Sequence, residues 1–279
     1  MKLIVDSGST KSSWGLLDGK EHKTTVYTAG LNPYFHTSES IETIFRAELI
    51  PFVVTDHIRE IHFYGAGCST DKNDQLISEC LLKYFRKADV FVYHDILGAA
   101  RALFGQKQGI SCILGTGCNC CYYDGKDIFS KVDSLGYLFG DEGAGSYLGK
   151  NFFRHYLKKT LPADLRMEFD RQYKLDLEDI LNALYNLPYP NRFLASFSTF
   201  LAPRQEHPFV YQLVKDSFSA FFEAQIRHYE GYRELPVSFA GSIAYYYQRI
   251  LKETAAGEGI HLGTIVKAPL EGLLRFHAF

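Results

Sequence analysis

Short runs of apolar and β-branched residues bounded by turn formers recur at 1–5, 12–17, 23–28, 60–65 and 89–93, and each predicts a strand. Between them, SIETIFRAELIPFVV and NDQLISECLLKYFRK carry apolar residues at helical spacing and predict helices. LDGK at 17–20 reads as a tight hairpin turn, because Asp-Gly suits the positive-φ geometry that joins twisted strands. The first 105 residues therefore predict a β-hairpin, a third strand, and then alternating helix and strand, an α/β layer arrangement.

Residues 111–126, SCILGTGCNCCYYDGK, then repeat the pattern of the opening LIVDSGSTKSSWGLLDGK. Gly8-Ser9 matches Gly115-Thr116, and Asp18-Gly19-Lys20 matches Asp124-Gly125-Lys126, with a one-residue gap between. A spacing of about a hundred residues is too long for a solenoid and predicts two related domains, each opening on a glycine-turned hairpin. The stretch from 146 to about 230 is helical in pattern, with aromatic stripes that suit a core. LPVSFAGSIAYYYQRILKETA adds a strand, a turn and a helix, followed by a short strand around TIVKA and a terminal helix, PLEGLLRFH. The expected domains are 1–107 and 108–279, the second with a helical insertion at 150–232. No low-complexity linker separates them, which predicts tight coupling.

Composition narrows the class. The 279 residues are 46% hydrophobic and 22% charged with a formal net charge of −2, as in an ordinary globular protein. No long Lys/Arg run favours nucleic acid or an anionic membrane. No apolar run approaches the ~20 residues of a membrane span and no secretory leader is visible, so a cytoplasmic protein is expected. Of six cysteines, Cys118, Cys120 and Cys121 crowd into GCNCC, without the second spaced pair that a zinc site needs. They read as small side chains of a strand.

Two glycine-rich hairpin turns offer two sets of backbone N–H groups to one anion. Ser7, Gly8 and Ser9, with Gly115, Thr116 and Gly117, are small enough for phosphate oxygens to approach the backbone. Ser9, Thr10 and Thr116 add hydroxyls, and Lys11 adds charge. Asp6, at a strand end, is placed to hold Mg²⁺ through water, since Mg²⁺ dehydrates reluctantly. In FVYHDILGAARALFG, Asp95 follows a strand and opens a helix. It suits a helix N-cap, and equally a carboxylate that accepts a hydroxyl proton in phosphoryl transfer. LGYLFGDEGAGSYLGK has more glycine than capping needs, and SFAGSIAYYY offers a turn for a nucleotide.

Taken in order, these elements resemble the sugar kinase, heat-shock ATPase and actin superfamily, and within it the N-acetylglucosamine kinase group, which is related to the activator ATPases of 2-hydroxyacyl-dehydratases. DSGSTKSSW resembles the first phosphate motif, GTGCNC the second, HDILGA the motif of the base, GDEGAGSYLG a loop of the GDEGSAYW type, and FAGSIA the adenosine motif. LNPY at 31–34 and YGAGCS at 64–69 resemble motifs at the sugar and the cleft.

The resemblance implies an α/β fold of two ribonuclease-H-like domains, as in actin-like ATPases, with a cleft between them. It implies ATP with Mg²⁺, and transfer of the γ-phosphate to a hydroxyl of an amino sugar, foremost the 6-hydroxyl of N-acetylglucosamine. Asp95 would be the base, and Asp6 would hold Mg²⁺. Ser7, Gly8, Ser9, Thr10 and Lys11, with Gly115, Thr116, Gly117 and Asn119, would contact phosphate, while Gly241 and Ser242 would line the adenosine pocket. Asn32, Gly67, Asp95, Thr116, Asn119 and Asp141 would face the sugar. Relatives of this kind allow a homodimer. Cys118 stands where Ser is usual and Pro33 follows Asn32, departures that bear on which sugar is taken. The alternatives are an activator ATPase holding an iron–sulfur cluster, for which a strand-borne GCNCC is poorly placed, and a sensor that binds sugar or nucleotide without turnover. The Cys- and Gly-rich zinc motif of repressor-related sugar kinases is absent from the sequence.

Overall fold

The computed structural model describes residues 1–278. Its first sheet is built from β1 (Lys2–Ser7), β2 (Lys11–Asp18), β3 (Glu21–Ala29), β4 (Glu60–Gly65) and β5 (Asp89–His94), in the order β3-β2-β1-β4-β5. The first three strands form an antiparallel meander, and β4 and β5 run parallel to β1. Parallel neighbours need crossovers. These are α1 (Ser38–Ile44), reached after β3, and α2 (Asp71–Tyr84), between β4 and β5; α3 (Asp95–Phe104) leaves β5. The helix predicted over 40–54 is shorter than its apolar spacing implies. After α1 the chain tightens into a π-type turn at Phe45–Leu49 and a 3₁₀ turn at Ile50–Phe52, where Pro51 has no N–H with which to continue a ladder.

The second sheet contains β6 (Gly109–Leu114), β7 (Cys118–Tyr123), β8 (Ile128–Lys131), β9 (Val237–Ala240) and β10 (Leu262–Val266), in the order β10-β9-β6-β7-β8. Counted from its own first strand, this is the order of the first sheet, so the sequence repeat is a repeat of topology. The sequence pattern did not single out β8, whose Ile-Phe-Ser-Lys has no buried face.

Among the described residues ten further helices complete the fold. They are α4 (Gly136–Phe139), α5 (Gly145–Leu157), α6 (Ala163–Tyr173), α7 (Leu177–Tyr185), α8 (Pro190–Ser196), α9 (Ser198–Leu201), α10 (Pro208–Ala224), α11 (Ser242–Tyr246), α12 (Gln248–Gly257) and α13 (Leu270–His277). Among the described residues no helix is long and apolar enough to cross a membrane.

Contacts divide the chain into two compact units. The first holds residues 1–111, 121–129 and the segment from Ala268 onward; the second holds Cys112–Cys120 and Ser130–Lys267. A single cut at 107/108 therefore does not describe the contacts: the division runs through β6 and β7, and the terminal helix belongs with the first unit. The reason is packing. Leu270, Leu273 and Leu274 are buried, and α13 lies on α3, β1 and β2. It comes so close that a Cβ at Gly15 would sit 2.9 Å from Leu274 Cδ2, and one at Gly272 would sit 2.4 Å from the Ala102 carbonyl oxygen.

Leu3, Val5, Trp14, Phe45, Phe63 and Phe85 form the first unit's core, in which Trp14 Nε1–H donates to Thr28 Oγ1 at 3.0 Å. In the second, Phe152, Phe153, Phe169, Phe197 and Phe200 interlock, as their helical spacing predicts.

Candidate active site

In the first unit, β1 delivers Asp6 and Ser7 to a turn that Gly8 closes, its N–H donating to the Lys11 carbonyl at 3.0 Å. Ser7 is wholly buried, and its hydroxyl lies 2.7 Å from Ser12 Oγ and accepts the Leu31 N–H at 3.3 Å. Its side chain therefore pins the turn and does not point out toward a ligand. Gly30 fixes the turn from behind. Its N–H donates to the Thr10 carbonyl at 3.1 Å, and a Cβ there would lie 2.3 Å from the Gly8 oxygen. Asn32 donates from Nδ2 to Ser9 Oγ at 2.9 Å and accepts the Tyr34 N–H on Oδ1 at 3.0 Å. Gly67, at φ +83°, approaches the same Oδ1 so closely that a Cβ would be 2.3 Å away. Asn32, Ser9 and Gly67 are thus one assembly, with Asn32 at its buried centre. Thr10 is exposed, and the Lys11 ammonium lies 3.7 Å from the centre of the Tyr27 ring, a cation–π contact.

Asp95 is the first residue of α3, and the N-cap is His94 rather than Asp95. His94 Nδ1 lies 2.7 Å from Asp95 Oδ1, with both side chains about one-fifth exposed (21% and 19%). The Ile96 N–H that the imidazole caps is farther away, at 3.4 Å. Burial, reinforced by the charge of Asp95 and opposed by Lys11, pushes the Asp6 carboxyl up to about 7. A carboxyl that resists ionising next to a second carboxylate is a place where a cation is welcome, and a single carboxylate is what Mg²⁺ uses beside phosphate oxygens. Among the described residues no group of three or more His, Cys, Asp or Glu is arranged to hold a metal without such a phosphate.

In the second unit the Gly115 N–H donates to the Gly117 carbonyl at 3.0 Å. The first turn closes over three residue steps and this one over two, which places the one-residue gap between the sequence copies in the turn itself. The start of α5 holds this turn, since the Gly145 N–H donates to the Gly115 carbonyl at 2.9 Å and the Ser146 N–H to the Thr116 carbonyl at 3.0 Å. Asp141 completes the clamp from a left-handed backbone at φ +59°, Oδ1 accepting the Cys118 N–H and Oδ2 the Ser146 hydroxyl, each at 3.0 Å. Burial raises its carboxyl, while those two hydrogen bonds act to lower it. Both oxygens of Asp141 are thus engaged by the chain itself, in the loop that the sequence marked as a ligand contact. Asn119 accepts the Cys120 N–H on Oδ1 at 3.0 Å.

Gly241, at φ +126°, rests on the end of β6, where a Cβ would be 2.2 Å from the Leu114 oxygen. Only glycine fits that approach, and it carries the exposed Ser242 into α11 beside the second turn. Cys118, Cys120 and Cys121 are buried in β7 as reduced thiols, and Cys120 Sγ lies 3.4 Å from Cys112 Sγ.

Gly30 and Ser146 support these turns, and His94 contacts Asp95, without having been singled out in the sequence. His94 had one local signal, its place directly before the acidic residue at a strand end. Gly30 and Ser146 act through contacts that only the fold creates.

No family model matches the sequence. The solved structure of a candidate N-acetylglucosamine kinase from Porphyromonas gingivalis is 40% identical and superposes with a TM-score of 0.95, over 100% of this chain and 99% of that one. A second candidate N-acetylglucosamine kinase, from Chromobacterium violaceum, shares the fold with a TM-score of 0.72 at 17% identity, over 99% of this chain and 98% of that one. A curated N-acetyl-D-glucosamine kinase from Dictyostelium discoideum is 22% identical over 169 residues, 55% of this chain. The match spans about half the length of that relative, 53%.

Proposed function

The chain belongs to the N-acetylglucosamine kinase family, and we propose that it transfers the γ-phosphate of ATP to a hydroxyl of an amino sugar, foremost the 6-hydroxyl of N-acetylglucosamine. The observation that carries this reading is the carboxylate of Asp95 at the junction of β5 and α3, facing the end of β1 where Asp6 and the first glycine turn lie.

Asp95 accepts the proton of the sugar hydroxyl as its oxygen attacks the γ-phosphorus. The bond from that phosphorus to the β-phosphate bridging oxygen breaks, and ADP leaves. Ser9, Thr10 and Lys11 are the phosphate contacts of the first unit, on a turn that Ser7, Gly8 and Gly30 hold in shape. Gly115, Thr116, Gly117 and Asn119 are those of the second, on a turn that Asp141 and Ser146 clamp. Gly241 and Ser242 take the adenosine, and Asn32 with Gly67 faces the sugar from behind Ser9. Asp6 would hold Mg²⁺ through water, and the cation would supply neutralisation of the charge that builds on the phosphate oxygens. The cysteines that an iron–sulfur activator would carry at a helix end are instead buried in β7, which favours the kinase over that alternative.

Asp95→Asn tests the assignment. Sugar-dependent ADP release should fall by roughly a hundredfold or more, while nucleotide affinity measured by calorimetry stays within about twofold. Turnover retained in this variant would remove Asp95 from the role of base. A screen of amino sugars with the unaltered chain identifies the acceptor.

A further inference from the structure

Resting on the kinase reading above, we propose that His94 is the positioning residue of the base: its Nδ1–H holds Asp95 Oδ1 and so presents Oδ2 to the sugar hydroxyl. The geometry starts from one nitrogen with two neighbours. Nδ1 lies 2.7 Å from the carboxylate oxygen and 3.4 Å from the Ile96 N–H. A ring nitrogen cannot donate to the first and accept from the second together. The shorter contact falls in the range of a charge-assisted N–H···O⁻ bond, so the proton belongs on Nδ1 and the cap on Ile96 is the weak partner.

Asp95 needs such a restraint because of where it sits. A carboxylate on the first residue of a helix is drawn back toward the unsatisfied N–H groups of its own first turn. In that orientation its oxygens would cap α3 instead of facing a substrate. His94 competes with this pull, and it does so from the neighbouring residue, where β5 fixes its backbone at φ −63° and ψ 141°. Asp74, a second carboxylate within electrostatic range of His94, has a buried Oδ1 without a hydrogen-bond partner among the described residues.

The test separates positioning from capping. His94→Ser keeps a good N-cap and removes the imidazole donor; His94→Asn keeps a good N-cap and supplies an amide N–H. The expected result is a fall of at least about tenfold in kcat for His94→Ser, with the KM for ATP and sugar within about threefold. His94→Asn should return kcat to within about threefold of the unaltered chain. Unchanged kcat in His94→Ser, or a His94→Asn variant no better than His94→Ser, overturns the proposal. Imidazole nitrogen resonances of the unaltered chain give a readout without turnover. A protonated Nδ1 at His94 that shifts in Asp95→Asn supports the pair, and a proton on Nε2 alone overturns it. Absence of sugar-dependent ADP release from the unaltered chain overturns the kinase reading instead, leaving the nitrogen measurement to judge the pair.

Discussion

Asp6 is an acid kept in a place that disfavours its charge, and this gives a stability signature independent of any ligand. Its carboxyl is pushed up to about 7, by burial first and by Asp95 second, against about 3.9 in an unfolded chain. Between those values the folded state binds the proton more tightly. The favourable contribution is therefore complete below about pH 4 and is lost as pH rises through about 7. Asp6→Asn removes this dependence. The variant should be more stable than the unaltered chain at pH 8, by on the order of a few kcal/mol at most because Asp6 keeps some solvent exposure. At pH 4 the gap should close, as chemical denaturation at the two pH values would read. A gap of equal size at both would mean that the side-chain replacement, and not the charge, sets the difference. At this scale the sequence was most legible where a residue acts on its own neighbours, as with Gly8 and Gly115, whose turns close within each hairpin. It was least legible where a polar side chain is consumed by the fold. Ser7 and Asp141 look like ligand contacts in the sequence because small and acidic residues suit phosphate and sugar alike. Their hydroxyl and carboxylate instead satisfy Ser12, Leu31, Cys118 and Ser146, partners that only tertiary structure supplies.

Among the elements, α13 shows a related effect with the opposite sign. Its last residue, His277, lies with Nε2 2.8 Å from the Tyr64 hydroxyl and its ring 4.1 Å from that of His62. Arg101 also donates to the Tyr64 hydroxyl, at 2.9 Å, which leaves the phenol proton for the imidazole. Burial first, then the charges of His62, Arg101 and Lys2, push His277 down to about 3, and Glu60 opposes them only in part. His62 is lowered too, chiefly by burial. A histidine depressed in the folded state contributes stability above its unfolded pKa, and that stability is lost as pH falls from about 6.5 toward 3. His277→Gln keeps an acceptor for the phenol and cannot titrate. Measured by denaturant midpoint, the unaltered chain should lose more stability than the variant between pH 7 and pH 4.5; parallel losses would show that His277 is not the titrating group. Element type was readable where periodicity was strong, as in α2 and α5, and unreadable where length or polarity hid it. The four-residue β8 is an edge strand without a buried face, and α4 leaves Leu138 and Phe139 exposed, so neither carries an amphipathic pattern.

For the molecule as a whole, the legible feature was the duplication. Two hairpins with glycine turns and matching Asp-Gly-Lys pointed to two copies of one topology, and the sheets carry the same strand order. What local pattern could not tell is which copy the chain ends on, because an amphipathic helix shows that it must be covered and not by what. The terminal helix covers the first unit. Three buried leucines of α13, at roughly 2 kcal/mol each, represent about 6 kcal/mol of burial, comparable to the whole stability of many domains. A chain ending at Lys267 should therefore lose hydrogen-exchange protection in β1, β2 and α3, while β9, β10 and α10 of the second unit keep theirs. Calorimetry of the same chain should show the second unit's transition without the first. Protection lost in β9 and β10 while β1 and β2 stay protected would assign the terminal helix to the second unit, as the sequence alone had it. The outcome also bears on the proposed transfer, because β1 carries Asp6 and α3 begins with Asp95. Losing α13 should abolish sugar-dependent turnover without touching a residue of either turn, and adding the missing helix back as a peptide should restore part of it if the second unit has remained folded.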